Sequence, residues 1–207
     1  MNNEILEIFN DNFETLGHST YDEVHVNGFW HQVIHCWLID ISTNFIIYQK
    51  RSKNKSIYPN MLDVSVAGHC RINENPEQTV AREAFEELGI SIEINKLFKV
   101  GIRRDSFTIG EMTNREFQYI YFYKLDVLES NIRIQKEELQ YVVLIKLENI
   151  LKSITETILI SAEKYSEGIY SKINISPSEF IPSIDNYNIK IPIAISSYLK
   201  TNSKIYF

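Results

Sequence analysis

The stretch Gly68–Ile90 reads G-H-C-R-I-N-E-N-P-E-Q-T-V-A-R-E-A-F-E-E-L-G-I. Its reading decides the fold. Asn75 is a favourable N-cap, Pro76 suits the first helical position, and Gln78 has the spacing of a capping box. Gly89 follows the last apolar position, Leu88, as a stop. Between these signals, Val80, Ala81, Ala84, Phe85 and Leu88 form an apolar stripe that packs on a core. Glu83, Glu86 and Glu87 fall at i, i+3 and i+4, so they project together on another face. Like charges so placed repel by a few tenths of a kcal/mol per pair, of order 0.3. A hard divalent cation, which takes oxygen ligands, is the natural compensation. Glu74 lies just upstream, and Arg82, four residues before Glu86, is placed to pair with it. A solvated acidic helix face does not account for Gly68, Glu74 and Gly89 at their distances.

The rest of the chain sets limits. Its 207 residues, 44% hydrophobic and 23% charged, suit one globular domain with an ample core. A net charge of −6 argues against a nucleic-acid polymer as the main partner. It leaves small phosphorylated substrates open, because a bound cation inverts the local field. No apolar run reaches membrane-spanning length, so no membrane partner is expected. The N-terminal residues lack the pattern of a signal peptide. Cys36 and Cys70 make no metal or redox spacing, and a reduced, cytoplasmic setting is the default.

Upstream of the acidic stretch, Ile5–Phe9 reads as a short strand or helical turn, Leu16–Ser19 as a turn and Tyr21–His25 as extended. Asn27-Gly28 reads as a hairpin signal. Phe29–Ile41 and Phe45–Lys50 read as a strand pair at the centre of the sheet, and Met61–Ala67 as a strand feeding Gly68. The turn-rich loop 51–60 crowds Lys50, Arg51, Lys53 and Lys55. Arg51 and Lys55 are its candidate phosphate clamps. Downstream, Ser91–Ile102 is expected extended, residues 103–114 a polar loop, and Glu116 the start of a strand. A polar connection at 128–138 and a strand at Leu139–Leu147 follow. Residues 150–168 are expected to be helical, with a last helix from Pro192 to Leu199. The division is a domain over 1–150 and a helical extension over 151–207 packed on it, which either caps the pocket or forms a homodimer contact.

The Gly68–Ile90 pattern resembles the Nudix box: Gly, five residues, Glu, seven residues, then Arg-Glu-apolar-x-Glu-Glu-x-Gly-apolar. Gly68, Glu74, Arg82, Glu83, Ala84, Glu86, Glu87, Gly89 and Ile90 fill every defined position. The resemblance implies an α/β fold, the α/β/α sandwich with a mixed sheet. It also implies a hydrolase acting on a phosphoanhydride through Mg²⁺, with Mn²⁺ as the substitute. The small-molecule diphosphate substrate is, by family habit, a nucleoside diphosphate linked to another moiety. Glu83, Glu86 and Glu87 are the expected metal ligands, supported by Glu74 and the Gly68 carbonyl. The catalytic candidates are Glu86, Glu83, Arg82 and Glu116. The general base is expected to be either one of the box glutamates or an extra acid from outside the box, Glu116 ahead of Glu138.

The flanks resemble the isopentenyl-diphosphate isomerase branch of the same superfamily, on W-H-Q-V-I-H-C-W-L, Q-K-R-S-K-N-K and D-V-S-V-A-G-H. Isomerases carry an essential cysteine immediately before the Gly-His pair, where this chain has Ala67. Histidines matching His25, His31 and His69 bind a metal in that branch, but His25 to His31 is one residue shorter here. These histidines are therefore expected to be structural, His35 to be core, and hydrolysis is expected over isomerisation.

Overall fold

The run from Trp30 to Asp40 is the strand on which the sheet is built. In the computed structural model, which describes residues 4–125, 132–156 and 158–201, this strand (β3) is buried at nine of its eleven positions. Before it come β1 (Ile5–Phe9), β2 (Thr15–Thr20) and α1 (Tyr21–Asn27). After it come β4 (Phe45–Arg51), β5 (Leu62–Asp63), β6 (Val66–His69) and α2 (Pro76–Leu88). Then follow β7 (Phe98–Ile109), β8 (Met112–Leu125), β9 (Leu139–Lys146), α3 (Leu147–Thr155), β10 (Ile160–Ser166), β11 (Ile169–Ile175) and α4 (Tyr187–Thr201).

One edge of β3 runs parallel to β8 over its whole length, from Trp30 beside Arg115 to Asp40 beside Leu125. The other edge is shared. β1 takes its start, β6 its middle, and β4 only Ile39 and Asp40. Where β3 and β4 part, the Ser65 hydroxyl accepts from Leu38 N–H at 2.9 Å and donates to the Ile47 carbonyl. A cleft opens beyond that stitch. The remaining pairings are antiparallel, so the sheet is mixed.

Both faces of the sheet are covered, as an α/β/α sandwich requires. Ile34, Cys36 and Leu38 of β3 pack with Tyr119, Tyr121 and Tyr123 of β8 under Val80, Ala84 and Leu88 of α2. The alternate residues Trp37, Ile39, Ile120 and Phe122 pack with Ile150 of α3 and with Ile191, Ala194 and Ile195 of α4.

Several local expectations are corrected. Leu16–Ser19 lies within β2. Residues 21–27 are helical because Thr20 and Glu23 form a capping box, and Gly28 closes the helix in the left-handed region at φ 66° instead of turning a hairpin. Met61–Ala67 is split into β5 and β6. Residues 103–109 belong to β7, and only Gly110-Glu111 turns the hairpin into β8. Their polarity misled because Arg103, Asp105 and Phe107 face a cavity on the molecule. The polar connection at 128–138 falls partly on residues 126–131, which lie outside the described residues.

Residues 150–168 are helical only to Thr155. Ile160–Ser166 and Ile169–Ile175 form a hairpin whose turn places Glu167 and Gly168 at φ 52° and 83°. The hairpin extends the sheet through β9. The last helix starts at Tyr187, whose N–H donates to the Ser183 hydroxyl at 2.8 Å, and Pro192 lies inside it.

Candidate functional site

α2 aims the acids. Its Asn75–Gln78 capping box fixes its start, and Val80, Ala84 and Leu88, all fully buried, fix its rotation. Phe85, read from the sequence as part of the packing stripe, is instead 63% exposed. With the helix so turned, Glu83, Glu86 and Glu87 all line a cavity of about 790 Å³. Gly68 on β6 lines it too. A Cβ at that position would overlap the Glu83 side chain, so glycine there leaves that carboxylate its place against the strand.

Arg82 organises this cluster from behind. Its guanidinium donates to both oxygens of Glu74 at 2.9 Å, to Glu83 at 2.6 Å, to Glu86 at 3.1 Å and to the His69 carbonyl at 3.1 Å. Glu74 also accepts from the Thr79 hydroxyl at 2.9 Å, and it does not line the cavity. Arg82 and Glu74 thus stand behind the acids that face the cavity, and Glu74, expected from the sequence to support them there, is turned towards Arg82 and Thr79.

The acids facing the cavity are poorly compensated. Burial pushes the Glu83 carboxyl up to about 7, with Glu86 and Glu4 adding to the push and Arg82 opposing it. Burial, then Glu83 and Glu138, raise Glu87 well above the ordinary carboxylate range. Glu87 is 4% exposed and its Oε2 has no hydrogen-bond partner. A buried, unpartnered carboxylate oxygen beside other carboxylates is costly unless a cation neutralises it. These residues therefore fit a hard divalent ion.

A second cluster stands beside the first. His25 from α1, His31 from β3 and His69 from β6 bring one ring nitrogen each within 4.8 Å of one another. His25 Nδ1 meets the Tyr21 carbonyl at 2.8 Å and His31 Nδ1 meets the Phe29 carbonyl at 3.1 Å. Those carbonyls accept the Nδ1 protons, which leaves both Nε2 atoms as lone-pair donors. Nε2 of His31 and of His69 are buried without partners. Burial pushes His31 down, and burial with His31 beside it pushes His69 down to about 3. The sequence reading of these histidines as structural did not foresee that the three rings converge, a donor set that would suit a transition metal. The missed signal is the T-x-x-E capping box of residues 20–23, which makes α1 a helix and carries His25 inward.

Glu116 also lines the cavity, five positions into β8 and not at its start. Burial opposes its ionisation. Amide donors from Gln118 and Asn114 at 2.6 Å each favour the carboxylate against that burial and hold it below the usual range.

Both expected phosphate clamps line the cavity, and both are already engaged. Arg51 pairs with Asp63 at 2.8 Å and donates to the Ile57 carbonyl at 2.9 Å, which organises the 52–60 loop. Lys55 pairs with Glu138.

A profile of the NUDIX domain matches residues 30–159. An uncharacterised Nudix hydrolase of Clostridium acetobutylicum is 37% identical over 154 residues, 73% of this chain and 74% of its own. A prenyl-diphosphate phosphatase of Methanosarcina mazei is 38% identical over 96 residues, 46% of this chain and 54% of its own. This chain thus spans about half that relative's length. A solved structure from Deinococcus radiodurans superposes with a TM-score of 0.53 at 25% identity, over 73% of this chain and 89% of its own.

A mixed sheet with one acid-bearing helix opening on a polar cavity defines, with these relatives, a hydrolase acting on pyrophosphate bonds. The chain belongs to the Nudix family.

Proposed function

We propose that the chain is a Mg²⁺-dependent diphosphohydrolase that cleaves a phosphoanhydride bond in a nucleoside diphosphate-linked or related small molecule. One observation carries the reading. Glu87 is buried beside Glu83, with an unpartnered oxygen, at the edge of a cavity large enough for such a molecule.

Glu83, Glu86 and Glu87, with the Gly68 carbonyl, would hold Mg²⁺ or Mn²⁺. When bound, the ion supplies neutralisation of the phosphate oxygens and acidifies a water. The chain's own residues do the rest. Arg82 locks the rotamers of Glu83 and Glu86 through its fork of hydrogen bonds. Glu138 lies close enough to Glu87 to raise its proton affinity and is tethered by Lys55. We assign Glu138 the proton of the attacking water. Glu116, ranked first from the sequence, is held ionised by its amide donors, which suits cation binding better than proton transfer. Arg51 and Lys55 bring positive charge to the cavity wall to receive the diphosphate. His25, His31 and His69 offer a second, nitrogen-donor station.

Isomerisation is less well supported. Ala67 lines the cavity where a thiol would be needed. Cys70 is buried and its thiol is pushed up to about 12 by burial. Among the described residues no helix is long and apolar enough to cross a membrane. With both cysteines free, a cytoplasmic location is our reading.

The test is a screen for Mg²⁺-dependent hydrolysis across nucleotide sugars, dinucleoside polyphosphates, coenzyme derivatives and prenyl diphosphates. Turnover should vanish with EDTA and fall by about 100-fold or more in Glu86→Gln and Glu87→Gln. A folded, metal-loaded protein that turns over nothing in the panel would overturn the proposal.

A further inference from the structure

The C-terminal part of the chain returns to the cavity from beyond the span matched by the family profile. After β11, the chain joins the edge of β5, where Ile181 N–H donates to the Leu62 carbonyl at 3.1 Å. Ile181, Pro182, Ser183, Tyr187 and Asn188 then line the cavity.

A charged clasp holds this segment. Asp185 receives Arg103 through both oxygens, from Nε at 2.8 Å and from Nη2 at 2.9 Å. The same guanidinium donates to Asp105 at 2.9 Å and to Gln118 at 2.5 Å, and it lies 4.5 Å from the centre of the Tyr187 ring. The Tyr187 hydroxyl accepts from Trp37 Nε1 at 3.0 Å and stands 3.1 Å from His35 Nδ1. Two of its members are buried: the Arg103 side chain is 7% exposed and Tyr187 is 5% exposed, while Asp185 keeps 35% of its side chain exposed.

The chemistry of this wall differs from that of the acid helix. It presents rings and neutral groups from His35, Tyr187, Pro182 and Asn188. Its cation, Arg103, is answered by two carboxylates, so it offers little net attraction to another anion. Resting on the diphosphohydrolase reading, we infer that the segment 181–188 determines specificity. It limits the size of the group carried on the diphosphate, and it selects a neutral, ring-bearing group over one ending in a further phosphate. Asp185 enforces the second choice by cancelling the charge of Arg103.

The experiment compares three substrates in wild type, Pro182→Trp and Asp185→Asn: methyl diphosphate, ADP-ribose, and ADP-ribose carrying a phosphate on its terminal ribose. Pro182 is exposed to the cavity, so a larger ring there fills space without disturbing the core. Pro182→Trp should lower kcat/KM for ADP-ribose relative to methyl diphosphate by about tenfold. Asp185→Asn should raise kcat/KM for the phosphorylated ligand relative to ADP-ribose by about tenfold, a gain that unfolding cannot mimic. The same ratios are read from calorimetric affinities with Mg²⁺ present.

Ratios within about twofold of wild type in Pro182→Trp, with its melting temperature unchanged, would overturn the inference. So would an unaltered charge preference in a folded Asp185→Asn. Binding with the expected shifts but without turnover would sink the hydrolase reading and leave the wall standing. No binding of any of the three ligands by wild type would sink both.

Discussion

On the proposed reading, a metal site built from acids that burial has made reluctant to ionise leaves a thermodynamic signature. In the metal-free protein the Glu83 carboxyl is pushed from an ordinary 4.5 to about 7, chiefly by burial. The folded state therefore holds that proton more tightly than the unfolded chain does. Its stability is complete below about pH 4.5, declines as pH climbs towards 7 and is flat above, by linkage. One pKa unit corresponds to about 1.4 kcal/mol, so Glu83 alone should cost roughly 2 kcal/mol between about pH 5.5 and about pH 8. Glu83 is 14% exposed, so solvent screens little of this, and Glu87 adds to it with the same sign. For a chain of this size the loss is about 4–8 °C in melting temperature. A divalent ion binds the ionised acids, so its stabilisation should grow over the same window. The assay is thermal unfolding in EDTA and in excess Mg²⁺ at the two pH values. Glu87→Gln should melt higher than wild type in EDTA at the upper pH, because it removes a buried, unneutralised charge, and it should lose most of the Mg²⁺ effect. Glu93→Gln, on the surface at 59% exposure, should behave as wild type in both. A Mg²⁺ shift equal at both pH values, or retained in Glu87→Gln, would refute the account.

Two further outcomes separate positioning from ligation. Arg82→Lys keeps the charge but cannot bond Glu74, Glu83 and Glu86 together, so Mn²⁺ affinity measured by calorimetry should weaken by about tenfold while the helix itself survives. His31→Gln should remove a transition-metal equivalent, counted by elemental analysis after dialysis against Zn²⁺ or Mn²⁺, and leave the Mg²⁺ response of the melting curve in place. An unchanged metal count in the folded variant would dismiss the histidine station.

The acid helix was legible because every signal that makes it is local. Asn75 and Gln78 cap it three residues apart, Gly89 ends it, and the side chains of Glu83, Glu86 and Glu87 are placed by helical geometry alone. The central strands were legible from their apolar runs, and both faces of β3 and β8 are indeed packed. What escaped were elements whose polarity is answered inside the fold. Residues 103–109 look like a solvent loop because Arg103 and Asp105 are charged, yet each finds its partner across the sheet or in the tail. The isoleucines at 150, 154, 158 and 160 suggest one helix, but those from 160 onward serve a hairpin whose pairing with β9 no short window contains.

The same distinction divides the site by function. The acids proposed to hold the cation come from 23 consecutive residues, 68–90, so that part of the site survives in sequence as a pattern, while Glu116 and Glu138 reach the cavity from elsewhere. The histidine station draws on α1, β3 and β6, and it exists only because Thr20 and Glu23 fold residues 21–27 into a helix. The far wall draws on residues more than eighty positions apart, Arg103 and Asp185, whose types alone give no hint that they meet. Chemistry common to a family is carried by the local pattern. On our reading, substrate choice rests on long-range contacts, and the Arg103–Asp185 clasp is where these meet the site. Through Gln118 it reaches Glu116 on one side, and through Tyr187 it fixes the neutral wall on the other. A change at Asp185 should therefore alter which diphosphate is accepted before it alters how the bond is broken.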